Sequence, residues 1–177
     1  MRVPPVIVVM GVSGAGKSTF GAALAASLGR AFLDADDLHP AENKAKMAAG
    51  IPLDDADRAP WLAAVSAAAR EAAPVVVACS ALKRAYREAI LSDAPGACFV
   101  ELVVPRAELK RRLAQRTHEF MSPALLDSQL ATLEPLGADE PGLRFDDSTA
   151  DGPALAADRA VRALREAVAA STPCFTV

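Results

Sequence analysis

The residues most able to do chemistry sit near the start of the chain. Gly11-Val12-Ser13-Gly14-Ala15-Gly16-Lys17-Ser18 matches G-x-x-x-x-G-K-[ST] at every fixed position. Glycines at this spacing let backbone N–H groups turn inward around phosphate oxygens, and a helix starting at the loop adds a favourable dipole. The nucleotide-binding set read from the motif is Gly11, Val12, Ser13, Gly14, Ala15, Gly16, Lys17, Ser18 and Thr19. Lys17 is suited to reach the β- and γ-phosphates of ATP, and the Ser18 hydroxyl to hold Mg²⁺. The bland alternative is a Gly/Ser turn that happens to end in lysine. The context argues against it, because an apolar run precedes the loop and a helical pattern follows.

A second cluster, Asp34-Ala35-Asp36-Asp37-Leu38-His39-Pro40, follows a short apolar run. Two carboxylates at i and i+2 on extended backbone point the same way. Asp34 is expected on the metal side, reaching Mg²⁺ through water. Asp36 is expected at the acceptor hydroxyl, as base or orienter. Asp37 reads better as a helix cap or a solvated turn, and His39 is open between capping a loop and contacting substrate.

The loop alone does not name a reaction. A GTPase needs a guanine-reading N-K-x-D, and Asn43-Lys44-Ala45-Lys46 has lysine where aspartate is required. No D-x-x-G switch is present, and motor or AAA-type ATPases are larger. What remains is a kinase for a small acceptor, with a nucleotide-binding protein that transfers nothing as the rival from another class.

These groups must be positioned by a regular scaffold. Val6–Met10 reads as a strand covered on both faces, and Ser18–Leu28 as a helix closed by Gly29. Strands are expected at Ala31–Leu33, Val75–Cys79, Cys98–Val104 and, weakly, Leu143–Asp146. Helices are expected at Pro40–Ala49, Asp57–Ala73, Ala81–Leu91, Arg106–Arg116, Pro123–Leu133 and Pro153–Ala170. Alternation of this kind predicts an α/β protein with a parallel sheet, and strand carboxyl ends then face the ligand crevice. One domain over residues 1–170 is expected, with a tail at 171–177.

Composition narrows the class. The chain has 177 residues, enough for one full core, and its net charge of −3 argues against a duplex-binding protein. Hydrophobic residues are 52%, but 40 residues are Ala and aromatics are only 5%, so the core must rest on Val, Leu and Ile. No apolar run approaches the length of a membrane span, and Lys17 breaks the short run that superficially resembles a signal peptide. Cys79, Cys98 and Cys174 lack C-x-x-C spacing and read as reduced thiols. A cytoplasmic protein is expected, with no nucleic-acid or membrane partner.

Taken together, GVSGAGKSTF, FLDADDLHPAENKAKMAAGIPLDDADRAPWL, CSALKRAYR and FMSPALLDSQLATLEP resemble the gluconokinase family. These are small P-loop carbohydrate kinases related in fold to shikimate and adenylate kinases. The L-H-P, D-R-x-P-W-L and C-S-A-L-K blocks are far more specific than the loop. The resemblance implies a three-layer P-loop fold, with a five-stranded parallel sheet flanked by helices and a mobile lid at about residues 112–135. It implies the reaction ATP + D-gluconate → ADP + 6-phospho-D-gluconate, and a homodimer.

Gluconate is a polyhydroxylated anion and calls for cations. Arg58, Lys83 and Arg87 lie in the family-like blocks and are candidate clamps, with Ser80 a candidate hydrogen-bonding partner. The alternatives are a salt bridge to Asp54, Asp55 or Asp57 for Arg58, and a solvated helix face for Lys83 and Arg87. Trp61 reads as core. Arg112 and Arg116, at i and i+4, resemble the lid entry of adenylate kinases. That resemblance puts Arg112 near the adenine and Arg116 beside the transferring phosphoryl. The alternative is cations favoured by a helix C-terminus. His118 is carried over as a substrate contact, although Thr117-His118-Glu119-Phe120-Met121 departs from the G-H-F common in the family.

Overall fold

The computed structural model describes residues 3–115, 123–146 and 152–170. β1 (Val6–Met10) is buried at every position, as its uninterrupted apolar run requires. β2 (Ala31–Asp34), β3 (Val75–Ala78), β4 (Ala97–Val103) and β5 (Gly142–Asp146) complete one sheet, in the order β2-β3-β1-β4-β5. Every pairing is parallel, with Val8 level with Val77 on one side and Phe99 on the other. β1, β3 and β4 are covered on both faces, which gives the expected α/β sheet flanked by helices.

The helices are α1 (Lys17–Leu28), α2 (Ala41–Ala48), α3 (Asp55–Ala72), α4 (Arg84–Asp93), α5 (Arg106–Ala114), α6 (Pro123–Thr132) and α7 (Pro153–Ala170). α1 packs on α7, and α3 on α4. Gly29 closes α1 with left-handed backbone, as its type predicts. α3 opens with a capping box, in which Asp54 and Asp57 each accept the other's backbone N–H. The helix therefore starts two residues earlier than its apolar pattern indicates.

Two further departures lie beside the strand ends. Residues Ala35–Leu38 form a 3-10 turn, capped by the Asp34 carboxylate accepting from the Asp36 N–H at 3.1 Å. α4 begins at Arg84 rather than Ala81, because Ala81 takes a left-handed φ of 41° and Lys83 is still extended. β5 forms despite its poor composition. Phe145 is buried with its ring centroid 5.3 Å from that of Phe20, and Gly142 permits the close approach of β5 to β4. A Cβ at Gly142 would stand 2.1 Å from the Phe99 carbonyl oxygen.

Between α6 and β5 the chain crosses α4, and there Arg87 departs from its expected role. Its side chain is fully buried. Its guanidinium forks onto Glu140, with Nε–Oε1 at 2.5 Å and Nη2–Oε2 at 2.8 Å. Nη1 also donates to the carbonyls of Ala81 and Glu134, so every edge of the fork is occupied by protein. Arg87 is thus a tie between α4 and the chain leaving α6, not an acceptor clamp. Nearby, the Glu134 N–H donates to the Leu82 carbonyl at 2.8 Å, and its carboxylate accepts from the Arg84 N–H at 2.7 Å.

Removing one partner of a buried pair strands the other charge. Arg87→Ala is expected to cost about 3–5 kcal/mol, and Arg87→Met with Glu140→Leu to recover most of it. Urea unfolding followed by the fluorescence of Trp61 checks this, and a loss below about 1 kcal/mol for the single variant would remove the tie from the account. The Arg87 guanidinium also holds the Glu140 carboxyl below its ordinary value. This contribution is therefore complete above about pH 4.3 and is lost as acid protonates the folded carboxylate.

Candidate active site

Left-handed backbone at Gly16 turns the chain from β1 into α1, with φ at 91°. The first turn of α1 has no side-chain cap and no acidic residue. Its first N–H groups and its dipole are therefore directed at the loop, an arrangement suited to phosphate. Lys17 Nζ folds back to the Val12 carbonyl at 3.2 Å, across the mouth of the loop. The Gly11 N–H donates to the Ser80 carbonyl at 3.3 Å, which ties the loop after β1 to the turn after β3.

Ser18 Oγ donates to Asp34 Oδ2 at 2.5 Å. The two sequence-predicted metal-side residues thus meet at the N-terminus of α1. A hydroxyl and a carboxylate are hard oxygen donors, and two such groups leave room for the waters and phosphate oxygens that Mg²⁺ keeps. The donor set fits that ion.

One cleft joins the loop to the ends of β2 and β3. Ser13, Lys17, Asp36, His39, Arg58 and Ser80 all line it. The Asp36 side chain is 74% exposed into this open space. Arg58 Nη1 donates to the Leu53 carbonyl at 2.5 Å and to the Tyr86 hydroxyl at 3.3 Å, and its guanidinium carbon lies 5.5 Å from the Tyr86 ring centroid. Leu53 and Tyr86, rather than the three aspartates weighed as partners, hold it at the cleft wall.

His39 forms the floor. Its ring stacks on Trp61, with centroids 4.2 Å apart and planes 11° from parallel. Asn43 Nδ2 approaches His39 Nδ1 at 3.4 Å as its donor, which leaves the ring hydrogen on Nε2, 3.9 Å from Asp36 Oδ1. Burial, with Lys44 and Arg58 nearby, depresses the imidazole to about 4, so His39 is neutral at pH 7. Trp61 is core as expected, but it also lines the cleft, and its Nε1–H donates to the Ala35 carbonyl at 2.7 Å. That bond pins the 3-10 turn carrying Asp36.

Lys83 lies outside this cleft. It lines a shallower depression with Asp54, Asp55 and Thr132, and its ammonium pairs with Asp55 at 2.8 Å. Lys83 and Tyr86 together hold the Asp55 carboxyl below its usual range. Arg58 borders both hollows.

Arg112 Nη1 donates to the Ala15 carbonyl at 3.1 Å, and its Nε pairs with Glu108 at 2.8 Å. The residue read as an adenine neighbour is thus laid along the phosphate loop. Arg116 and His118 lie outside the described residues, as do residues 147–151 after β5. Cys79 and Cys98 are buried free thiols, pushed up to about 12 by burial, so neither offers a thiolate. Cys174 lies outside the described residues.

Sequence reasoning missed the α6 wall. Leu125, Ser128 and Gln129 line the cleft, and Gln129 Oε1 accepts the Ser13 N–H at 2.7 Å. The spacing contained a signal, since Gln129 is three residues after the buried Leu126 and four after Leu125, on the inward side of the helix. Among the described residues, no helix is long and apolar enough to cross a membrane.

A family model described as an AAA domain matches residues 6–136. A gluconokinase of Gluconobacter oxydans is 49% identical over 145 residues, covering 80% of this chain and 82% of its own. A solved gluconokinase structure from Sinorhizobium meliloti superposes with a TM-score of 0.84 at 44% identity, covering 94% of each chain. A shikimate kinase from Bacteroides thetaiotaomicron shares the fold, with a TM-score of 0.62 at 21% identity and coverage of 92% of this chain and 98% of its own.

The depressed imidazole sets a pH dependence. An unfolded histidine takes up a proton near pH 6.5 and the folded His39 only near 4, so stability falls as pH drops through that window. Between pH 7 and pH 4.5 the loss from this group is expected to be about 2 kcal/mol. Urea midpoints at pH 7 and pH 4.5 check it, and His39→Gln should show a smaller acid loss than the parent. Equal losses in the two proteins would mean that His39 titrates normally.

Proposed function

The chain belongs to the gluconokinase family, and from that premise we propose that it transfers the terminal phosphoryl of ATP to D-gluconate, giving ADP and 6-phospho-D-gluconate. One observation carries this reading. The phosphate loop and a cleft holding a carboxylate, an arginine and hydroxyl partners share a single wall, with Lys17 and Asp36 both on it. A phosphoryl donor and an acidic polyol seated there lie side by side without rearrangement of the sheet.

The chain's own groups divide the work. The loop N–H groups and the α1 dipole hold the β- and γ-phosphates, and Lys17 leaves the Val12 carbonyl to neutralise charge on the transferring group. Ser18 and Asp34 would hold Mg²⁺, which would supply positive charge against the phosphates. Arg58 faces the gluconate carboxylate, and Ser80 and the floor at His39 meet its hydroxyls. Asp36 accepts the proton of the acceptor hydroxyl as the new O–P bond forms and the bond to the ADP oxygen breaks. Arg116, from the lid, adds a second cation at the transferring phosphoryl, and His118 a further substrate contact. Arg112, held along the phosphate loop, serves the nucleotide side of the site, and the setting is the cytoplasm. Positioning and electrostatics dominate the catalysis, and no covalent intermediate on the protein is involved.

Coupled ADP release tests this with gluconate, shikimate, glycerate, AMP and no acceptor. Turnover is expected with gluconate alone and to stop on chelation of Mg²⁺. Asp36→Asn should lower kcat by about 10²- to 10⁴-fold, and Lys17→Ala by about 10²- to 10³-fold. Turnover of another acceptor would move the substrate assignment. ATP binding without turnover on any acceptor would overturn the kinase reading.

A further inference from the structure

The contact between α6 and the phosphate loop has a chemistry that packing does not require. The Ser13 N–H belongs to the loop whose N–H groups bind phosphate oxygens, and here a neutral oxygen, Gln129 Oε1, occupies it at 2.7 Å. The same side chain lines the cleft with Lys17, Asp36 and Arg58, so its carboxamide shares one cleft with the loop lysine and the acceptor-side groups. The helix that carries it is anchored in the core by Leu126, which is fully buried.

The geometry points to Gln129 as a positioning residue for phosphoryl transfer, its carboxamide standing in for a phosphate oxygen at Ser13 and, once displaced, aligning the terminal phosphoryl with the acceptor hydroxyl. This rests on the kinase reading above. Glutamine carries two N–H donors and an acceptor oxygen on one planar head. When a terminal phosphoryl oxygen takes the Ser13 N–H, the released carboxamide gives Nε2–H to that phosphoryl and keeps Oε1 for a hydroxyl of the acceptor. A diphosphate has no group to displace it. Gln129 therefore distinguishes ATP from ADP, and it reads the donor and the acceptor with one side chain. A glutamate, equal in shape, would set a negative charge against the phosphoryl.

The test measures two quantities on Gln129→Leu and Gln129→Glu. Calorimetry without acceptor gives Kd for a non-hydrolysable ATP analogue and for ADP, in the presence of Mg²⁺. Steady-state turnover gives kcat and KM for gluconate. Gln129→Glu is expected to weaken the analogue about tenfold or more while ADP stays within about twofold. Gln129→Leu is expected to lose about 10- to 100-fold in kcat, with a raised gluconate KM and ADP affinity again unchanged. Retained ADP binding also certifies that each variant is folded. If the leucine variant fails that check, the isosteric glutamate variant carries the test through the ATP-to-ADP ratio. Two outcomes overturn the proposal: a ratio and kcat within twofold of the parent, or a fall in ADP affinity parallel to that of the analogue, which would make Gln129 a mere prop of the loop. Failure of the parent to turn over gluconate counts against the acceptor assignment, whereas the nucleotide ratio is read without any acceptor.

Discussion

The parallel pairing of β1 with β3 on one side and β4 on the other governs the rest of the molecule. Because all strands run the same way, their carboxyl ends open on one edge, and the segments that leave β1, β2 and β3 meet in one crevice. The loop after β1 supplies phosphate donors, the turn after β2 supplies Asp36, and the turn after β3 supplies Ser80. The bond from the Gly11 N–H to the Ser80 carbonyl joins two of these loops directly. None of these groups is near another in the chain, and the sheet brings them together.

On the acceptor side, rigidity comes from aromatic packing. Trp61 reaches from α3 to hold the Ala35 carbonyl, and His39 lies flat on its ring. Asn43, buried on α2, approaches His39 through Nδ2 and spans to the Asp57 carbonyl at 2.8 Å. The exposed Asp36 thus stands on a floor whose own polar atoms are satisfied from behind. Positioning a flexible carboxylate in open solvent requires a support of this kind.

The three arginines and one lysine weighed for the cleft show how one charge type serves different ends. Arg58 stays at the cleft wall, held through Leu53 and Tyr86. Lys83 is matched by Asp55 at a neighbouring depression. Arg112 lies along the phosphate loop. Arg87 is sealed in the interior against Glu140, where it ties down the chain leaving α6. That tie, with the Leu82–Glu134 bond, secures one end of the helix that carries Gln129.

Much of this was legible in the residues. The phosphate loop, the buried strands and the paired Asp34 and Asp36 follow from local rules of spacing, and so does the helix end at Gly29. The 3-10 turn at Ala35–Leu38 and the late start of α4 escaped, because each depends on one local backbone choice that propensity does not register. The fate of Arg87 was illegible for a different reason. Its sequence neighbours suit a solvated helix face, and only Glu140, 53 residues away, decides that it is buried. Gln129 is the same case on a larger scale, with its partner Ser13 lying 116 residues away. Fold class, family and phosphate site can be read from the residues, since those rest on contiguous patterns. Tertiary structure alone decided which cations face the cleft and what closes it, because desolvation and partner choice are properties of segments that meet only after the chain has folded.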